Sequence, residues 1–102
     1  MIDPQRQVRR FMRRHGLQHD AVTHMLDHMS EVGELAKLVL EVSDYGHRPI
    51  DDAVDFSGEL GDVLYSVLAL ATALDVDAGE ALDGALRKYE RRLGEHGGPG
   101  ST

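Results

Sequence analysis

From Val63 to Leu74 only Tyr65, Ser66 and Thr72 are polar. The apolar positions leading into and through this stretch, Phe56, Leu60, Val63, Leu64, Val67, Leu68 and Ala71, recur at three- and four-residue steps, the period of an α-helix. A helix that is apolar nearly all round cannot lie on a surface with one side in water. It must be covered from several directions, by other helices of the chain or by those of a second subunit. At 102 residues folding removes only roughly two thirds of the exposed surface, so the core of one chain is modest and oligomerisation would enlarge it.

The rest of the chain repeats the helical period and nowhere shows the strict alternation of a half-buried strand. A first helix is expected over about Pro4–His15, with Asp3 as N-cap, Pro4 at the first helical position and Gly16 just past the end. A second is expected from about Asp20 to Ser43, with Val22, Met25, Met29, Val32, Ala36, Val39 and Leu40 along one side. The third starts near Pro49 or Asp51 and reaches Leu74; the fourth opens at the capping-box pair Asp77 and Glu80 and runs to about Leu93. The expected organisation is one all-α domain over residues 1–93, a four-helix bundle completed by oligomerisation, and a Gly-rich disordered tail over 94–102.

Charge is distributed unevenly. The formal net charge is −7, and residues 20–83 carry fifteen Asp and Glu against Lys37 and Arg48 alone. The remaining basic residues cluster at the two ends, as Arg6, Arg9, Arg10, Arg13 and Arg14 in the first helix and Arg87, Lys88, Arg91 and Arg92 in the last. An acidic middle argues against nucleic-acid binding, which needs a positive stripe to displace counterions. With no cysteine, a metal would be held by carboxylate or imidazole, and oxygen ligands favour Mg²⁺, with Mn²⁺ as a substitute. No apolar run approaches the ~20 residues of a membrane span and the N-terminus lacks a signal-like apolar stretch, so no membrane is expected and the expected location is cytoplasmic.

The chemistry lies in two acid pairs of identical spacing, Glu31-Val-Gly-Glu34 and Glu59-Leu-Gly-Asp62. Residues three apart on a helix have Cβ atoms roughly 5–6 Å apart, so each pair sets two carboxylates on one edge. No lysine relieves either pair at i+4, where Leu35 and Val63 follow Glu31 and Glu59. A divalent cation between two antiparallel helices would supply the missing positive charge and leave sites open to phosphate oxygens. Gly33 and Gly61 each cost about 1 kcal/mol in a helix interior, which points to close helix approach or to room for a ligand. Against this stands the plainer reading, two solvated acidic edges, which one such pair alone would favour.

The two pairs with the 24 residues between them resemble the two-part acidic signature of the MazG-type all-α nucleoside triphosphate pyrophosphohydrolases. SEVGELAKLVLE, GELGDVLYSVLALATALDVDAGEAL and KYERRL extend the resemblance over about residues 20–93. The resemblance implies that Glu31, Glu34, Glu59 and Asp62 are the catalytic acids and metal ligands, and that Lys88 and Arg92 contact phosphate. It further implies Mg²⁺-dependent cleavage of a nucleoside triphosphate to monophosphate and pyrophosphate, for housecleaning or nucleotide-pool control, in a homodimer or homotetramer. Ser30 stands where many relatives have a second Glu, and Leu86 and Tyr89 lie near Lys88 where many have Asn, so base and sugar recognition does not carry over. Two alternatives remain at this stage: a phosphoribosyl-ATP pyrophosphatase-like enzyme and a non-catalytic helical oligomerisation module.

Other side chains have weaker claims. His24, His28 and Glu31 share a helical edge and could make a transition-metal site, though the Glu-x-x-His pairs of a diiron bundle are missing. Asp27, Asp52 and Asp55 extend the acidic edges as solvated residues. Tyr45, Tyr65, Phe56 and Tyr89 are candidates to stack on a base, with Phe56 and Tyr89 core residues first by their periodicity.

Overall fold

The computed structural model describes residues 3–98, with four helices: α1 (Pro4–His15), α2 (Ala21–Val42), α3 (Ser57–Ala73) and α4 (Ala78–His96). The described residues contain no strand, so the all-α expectation holds. α4 runs past Leu93 into the segment expected to be a tail, whose residues 99–102 lie outside the described ones. No helix among the described residues is long and apolar enough to cross a membrane.

Local chemistry sets the helix ends. Asp3, Asp20 and Asp77 each accept a backbone N–H from three residues on, at 3.0, 2.8 and 2.9 Å, satisfying donors that the first turn leaves unpaired. Gly16 closes α1 in the left-handed region at φ 66°, with its N–H on the Met12 carbonyl. After α2 the chain turns sharply, with Asp44, Tyr45 and Gly46 all at positive φ. Ser43 holds that turn, its hydroxyl donating to the Val39 carbonyl at 2.7 Å and accepting the Gly46 N–H at 3.1 Å.

The third helix begins at Ser57, later than the expected Pro49 or Asp51. The cause is side-chain competition. Asp51 takes the Ala53 N–H at 2.8 Å, and Asp55 takes the Ser57 N–H at 2.8 Å and its hydroxyl at 2.6 Å. These local bonds give the backbone an alternative to the helical ladder, and residues 51–56 stay outside the helix.

α2 and α3 pack antiparallel, joined by a 2.8 Å hydrogen bond between His28 Nδ1 and Ser66 Oγ, and α1 packs on α3. Ser66 Oγ donates to the Val63 carbonyl, so towards His28 it is the acceptor, with the His28 Nδ1–H donating. Met12, Leu68 and Ala69 form the apolar centre. Gln5 ties α1 to the α3–α4 turn, donating to the Val76 carbonyl at 2.8 Å and accepting the Ala78 N–H at 2.7 Å; a buried amide is thereby satisfied at both ends.

Much of the apolar surface is not covered by this chain. α2 turns His24, His28, Glu31, Leu35, Leu38 and Val42 towards α3, while Val22, Met25, Met29, Val32, Val39 and Leu40 are exposed, Val22 at 68% and Met29 at 60%. In α3, Leu68 and Ala69 are buried, but Leu64 and the capping Leu74 just past its end are more than half exposed. α4 has no extensive contact with the other helices, and Leu82, Leu86, Tyr89 and Leu93 on it are 40–59% exposed.

Candidate metal and phosphate site

Antiparallel packing brings the middle of α2 opposite the first turns of α3. One carboxylate oxygen from each of Glu31, Glu34 and Glu59 lies within 4.8 Å of the other two. Two oxygens on opposite sides of one Mg²⁺ stand about 4.2 Å apart, twice the usual bond length, so small side-chain adjustments close these groups on one ion. Asp62 is not in that triple, but its negative charge acts on the Glu31 carboxyl.

Glu31 carries the electrostatic cost of the arrangement. Burial pushes its carboxyl above the ordinary 4.5, and the charges of Glu34, Asp62 and Asp27 push the same way. Its Oε2 is buried with no hydrogen-bond partner among the described residues. An anionic oxygen without water or a donor is costly to bury, and a hard cation relieves both that loss and the repulsion among the acids. The donor set therefore fits a divalent metal ion.

Other expectations are met differently. A Cβ at Gly33 or Gly61 would meet nothing within 4 Å, so within one chain these glycines leave open space and no helix crowds them. His24 and His28 are drawn out of any joint metal set: His24 Nε2 accepts the His19 N–H at 3.1 Å and His28 Nδ1 is engaged with Ser66. Lys88 and Arg92 sit on α4, away from the packed α2–α3 pair, and the Lys88 ammonium lies 5.2 Å from the Tyr89 ring centroid. The fold brings three of the four acids together and does not bring the α4 cations to them through any extensive helix contact.

Beside the acids lies a feature that spacing did not show. Leu17, His19, Thr23, His24, Asp27 and Tyr65 line a cavity of about 290 Å³. Asp27 is one helical turn before Glu31, and Tyr65 is three residues after Asp62, so both helices that carry the acids also wall this cavity. Burial and then the charge of Asp27 push the Tyr65 hydroxyl above its ordinary 10.0, and its ring meets Phe11 edge-on at 5.9 Å. The loop 16–20, folded on α2 by the His19–His24 bond, was the missing piece; only the acidic run Asp27-x-x-x-Glu31 hinted at it in the sequence.

Comparison with known proteins places the chain in a family. The family model described as the MazG nucleotide pyrophosphohydrolase domain matches residues 19–95, which include the four acids, Lys88 and Arg92, and leave α1 outside. The chain is similar to uncharacterized protein YpjD of Bacillus subtilis (strain 168), at 37% identity over 65 residues, 61% of this chain and 57% of that relative. The match thus spans a little over half the length of that relative. No solved structure matches the chain.

Proposed function

The chain belongs to the MazG nucleotide pyrophosphohydrolase family, and from that premise we propose that it hydrolyses a nucleoside triphosphate to the monophosphate and pyrophosphate with Mg²⁺ as cofactor. The observation that carries this reading is the convergence of the Glu31, Glu34 and Glu59 carboxylates, with the Glu31 Oε2 buried and without a hydrogen-bond partner among the described residues. These three, with Asp62 beside them, would hold the ion. Mg²⁺, when bound there, supplies charge neutralisation at the phosphates and polarises the phosphoryl group.

The chain's own residues do the rest. Glu31, Glu34, Glu59 and Asp62 form an acidic edge that repels a free triphosphate and accepts one only as its metal complex, which ties binding to the cofactor. Lys88 and Arg92 add positive charge at the phosphates, where it counts more as the bridging oxygen departs as pyrophosphate. Water attacks the α-phosphorus and the bond to the α–β bridging oxygen breaks.

The same reading includes a homodimer or homotetramer, acting in the cytoplasm. Its support is the exposed face of α2 and the uncovered stripe of α4: fully burying one such Leu or Met side chain is worth about 1.5–3 kcal/mol, and a second copy offers the same surfaces in return. Repacking in the oligomer would also bring the α4 cations to an acidic edge.

Pyrophosphate release, followed across a panel of nucleoside triphosphates with Mg²⁺ and with chelator, tests the proposal. Metal-dependent release from one or more of them is expected. Release from phosphoribosyl-ATP alone would favour the related pyrophosphatase, and no release from any substrate would leave a non-catalytic helical module.

A further inference from the structure

The cavity beside the acids is walled by both helices that carry them, and two of its polar side chains are uncommitted. Asp27 and the Tyr65 hydroxyl make no hydrogen bond among the described residues, and they enter the cavity from different helices. The His19 N–H fixes the ring of His24, which is only 6% exposed; because Nε2 is the acceptor, Nδ1 carries the proton of the neutral ring. Leu17 and the rings of His19, His24 and Tyr65 give apolar and aromatic walls. About 290 Å³ is ample for a flat heteroaromatic ring, and such a ring stacks well on side chains of this kind.

Position supplies the link to substrate. One turn of α2 separates Asp27 from Glu31, a rise of roughly 6 Å. A nucleotide whose phosphates are held at the acids has its base within a few ångströms of this cavity. Resting on the proposed phosphate chemistry, we propose that the cavity is the base subsite, and that Asp27 selects bases bearing an exocyclic amino group.

The selection follows from donors and acceptors. A carboxylate only accepts hydrogen bonds, so Asp27 pairs with the amino N–H of cytosine or adenine. In uracil or hypoxanthine a carbonyl oxygen takes the place of that amino group, and two acceptors face each other with neither satisfied. A site built around a hydrogen bond rejects the analogue lacking it far more strongly than an apolar pocket rejects a change of size. The Tyr65 hydroxyl stays a donor, since burial and Asp27 both oppose its ionisation, and it complements ring nitrogens or carbonyls elsewhere on the base.

The test has two arms with wild type and Asp27→Asn. In steady state with Mg²⁺, wild type should favour CTP over UTP and ATP over ITP in kcat/KM by about tenfold or more. Asp27→Asn, whose amide both donates and accepts, should bring both ratios to within about threefold of unity. In the second arm, CMP and UMP, which carry no anhydride bond to cleave, are titrated into Mg²⁺-loaded protein by calorimetry, and the same preference and its loss should appear without turnover. Tyr65→Phe should weaken binding of all bases by a similar factor while leaving the ratios in place. Equal use of CTP and UTP by the wild type overturns the assignment, and so does an Asp27→Asn protein with unchanged ratios. If no triphosphate is cleaved but CMP outbinds UMP through Asp27, the subsite stands and the hydrolytic reading falls.

Discussion

The α2–α3 pair and α4 were both expected to contribute charged groups to one site, and they reach the folded chain in different states. α2 and α3 pack on each other, and their contact brings three carboxylates within 4.8 Å. α4 is a regular, well-capped helix with four large apolar residues in the open and no extensive contact with its own chain. The difference teaches that the acids of the proposed site are drawn together by contacts within one protomer, whereas the basic half waits on whatever covers α4. Substitutions in the two regions should therefore fail in different ways.

The largest effect should come from the acidic half. Glu59→Gln removes the charge of one of the converging carboxylates and should lower turnover by at least about 10²–10³-fold, as losses of central electrostatic groups do, in a coupled pyrophosphate assay. Near-normal release by this variant would make the acids mere surface and erase the contrast with α4.

Next comes assembly. Light scattering should report at least a dimer, and the paired substitution Val22→Glu/Met29→Glu, which puts charge on the exposed α2 stripe, should shift the mass to that of a monomer. A monomeric wild type at micromolar concentration would show that α4 and the α2 stripe stay uncovered, leaving the basic half without a place to act. Lys88→Ala should have a smaller effect, lowering kcat/KM by about 10–100-fold while Mn²⁺ affinity stays unchanged. A Lys88→Ala protein that loses metal binding would mean that α4 belongs to the metal site itself.

How much of this was written in the sequence depends on the range of the interactions. Helix ends at Asp3, Asp20, Gly16 and Asp77 were legible because a cap is a bond to the next turn. The acid pairs were legible because i,i+3 spacing fixes an edge wherever the helix goes. The start of α3 was missed because Asp51 and Asp55 close turns with their side chains, which apolar periodicity does not register. The apolar stripe of α2 was correctly seen as one face, but the face that meets α3 is the neighbouring ridge of His24, His28, Glu31 and Leu35. Periodicity gives the direction of burial only when one partner covers the whole apolar arc, and α2 has more arc than α3 can cover. Asp27 is exposed, as its reading as a solvated residue expected; that it also lines a cavity was not legible, because Tyr65 and the 16–20 loop lie outside its own turn.

The smallest expected effect concerns acidity. In metal-free protein the Glu31 carboxyl lies above its ordinary 4.5 because burial and neighbouring acids disfavour the anion. A carboxyl raised on folding stabilises the native state fully below its unfolded value and loses that contribution as pH rises through the folded one. The melting temperature of metal-free protein should therefore carry a falling component above about pH 4.5, and saturating Mg²⁺ should remove it by favouring the anion. Glu31→Gln should abolish this component, and its persistence would assign the titration elsewhere.

The claim on which the rest depends is that Glu31, Glu34 and Glu59 hold a divalent ion, and Mn²⁺ binding measured by electron paramagnetic resonance tests it without reference to turnover. The wild type should bind Mn²⁺ at the α2–α3 edge, Glu59→Gln should weaken that binding by about tenfold or more, and Lys88→Ala should leave it unchanged. Equal Mn²⁺ affinity in wild type and Glu59→Gln would contradict the account.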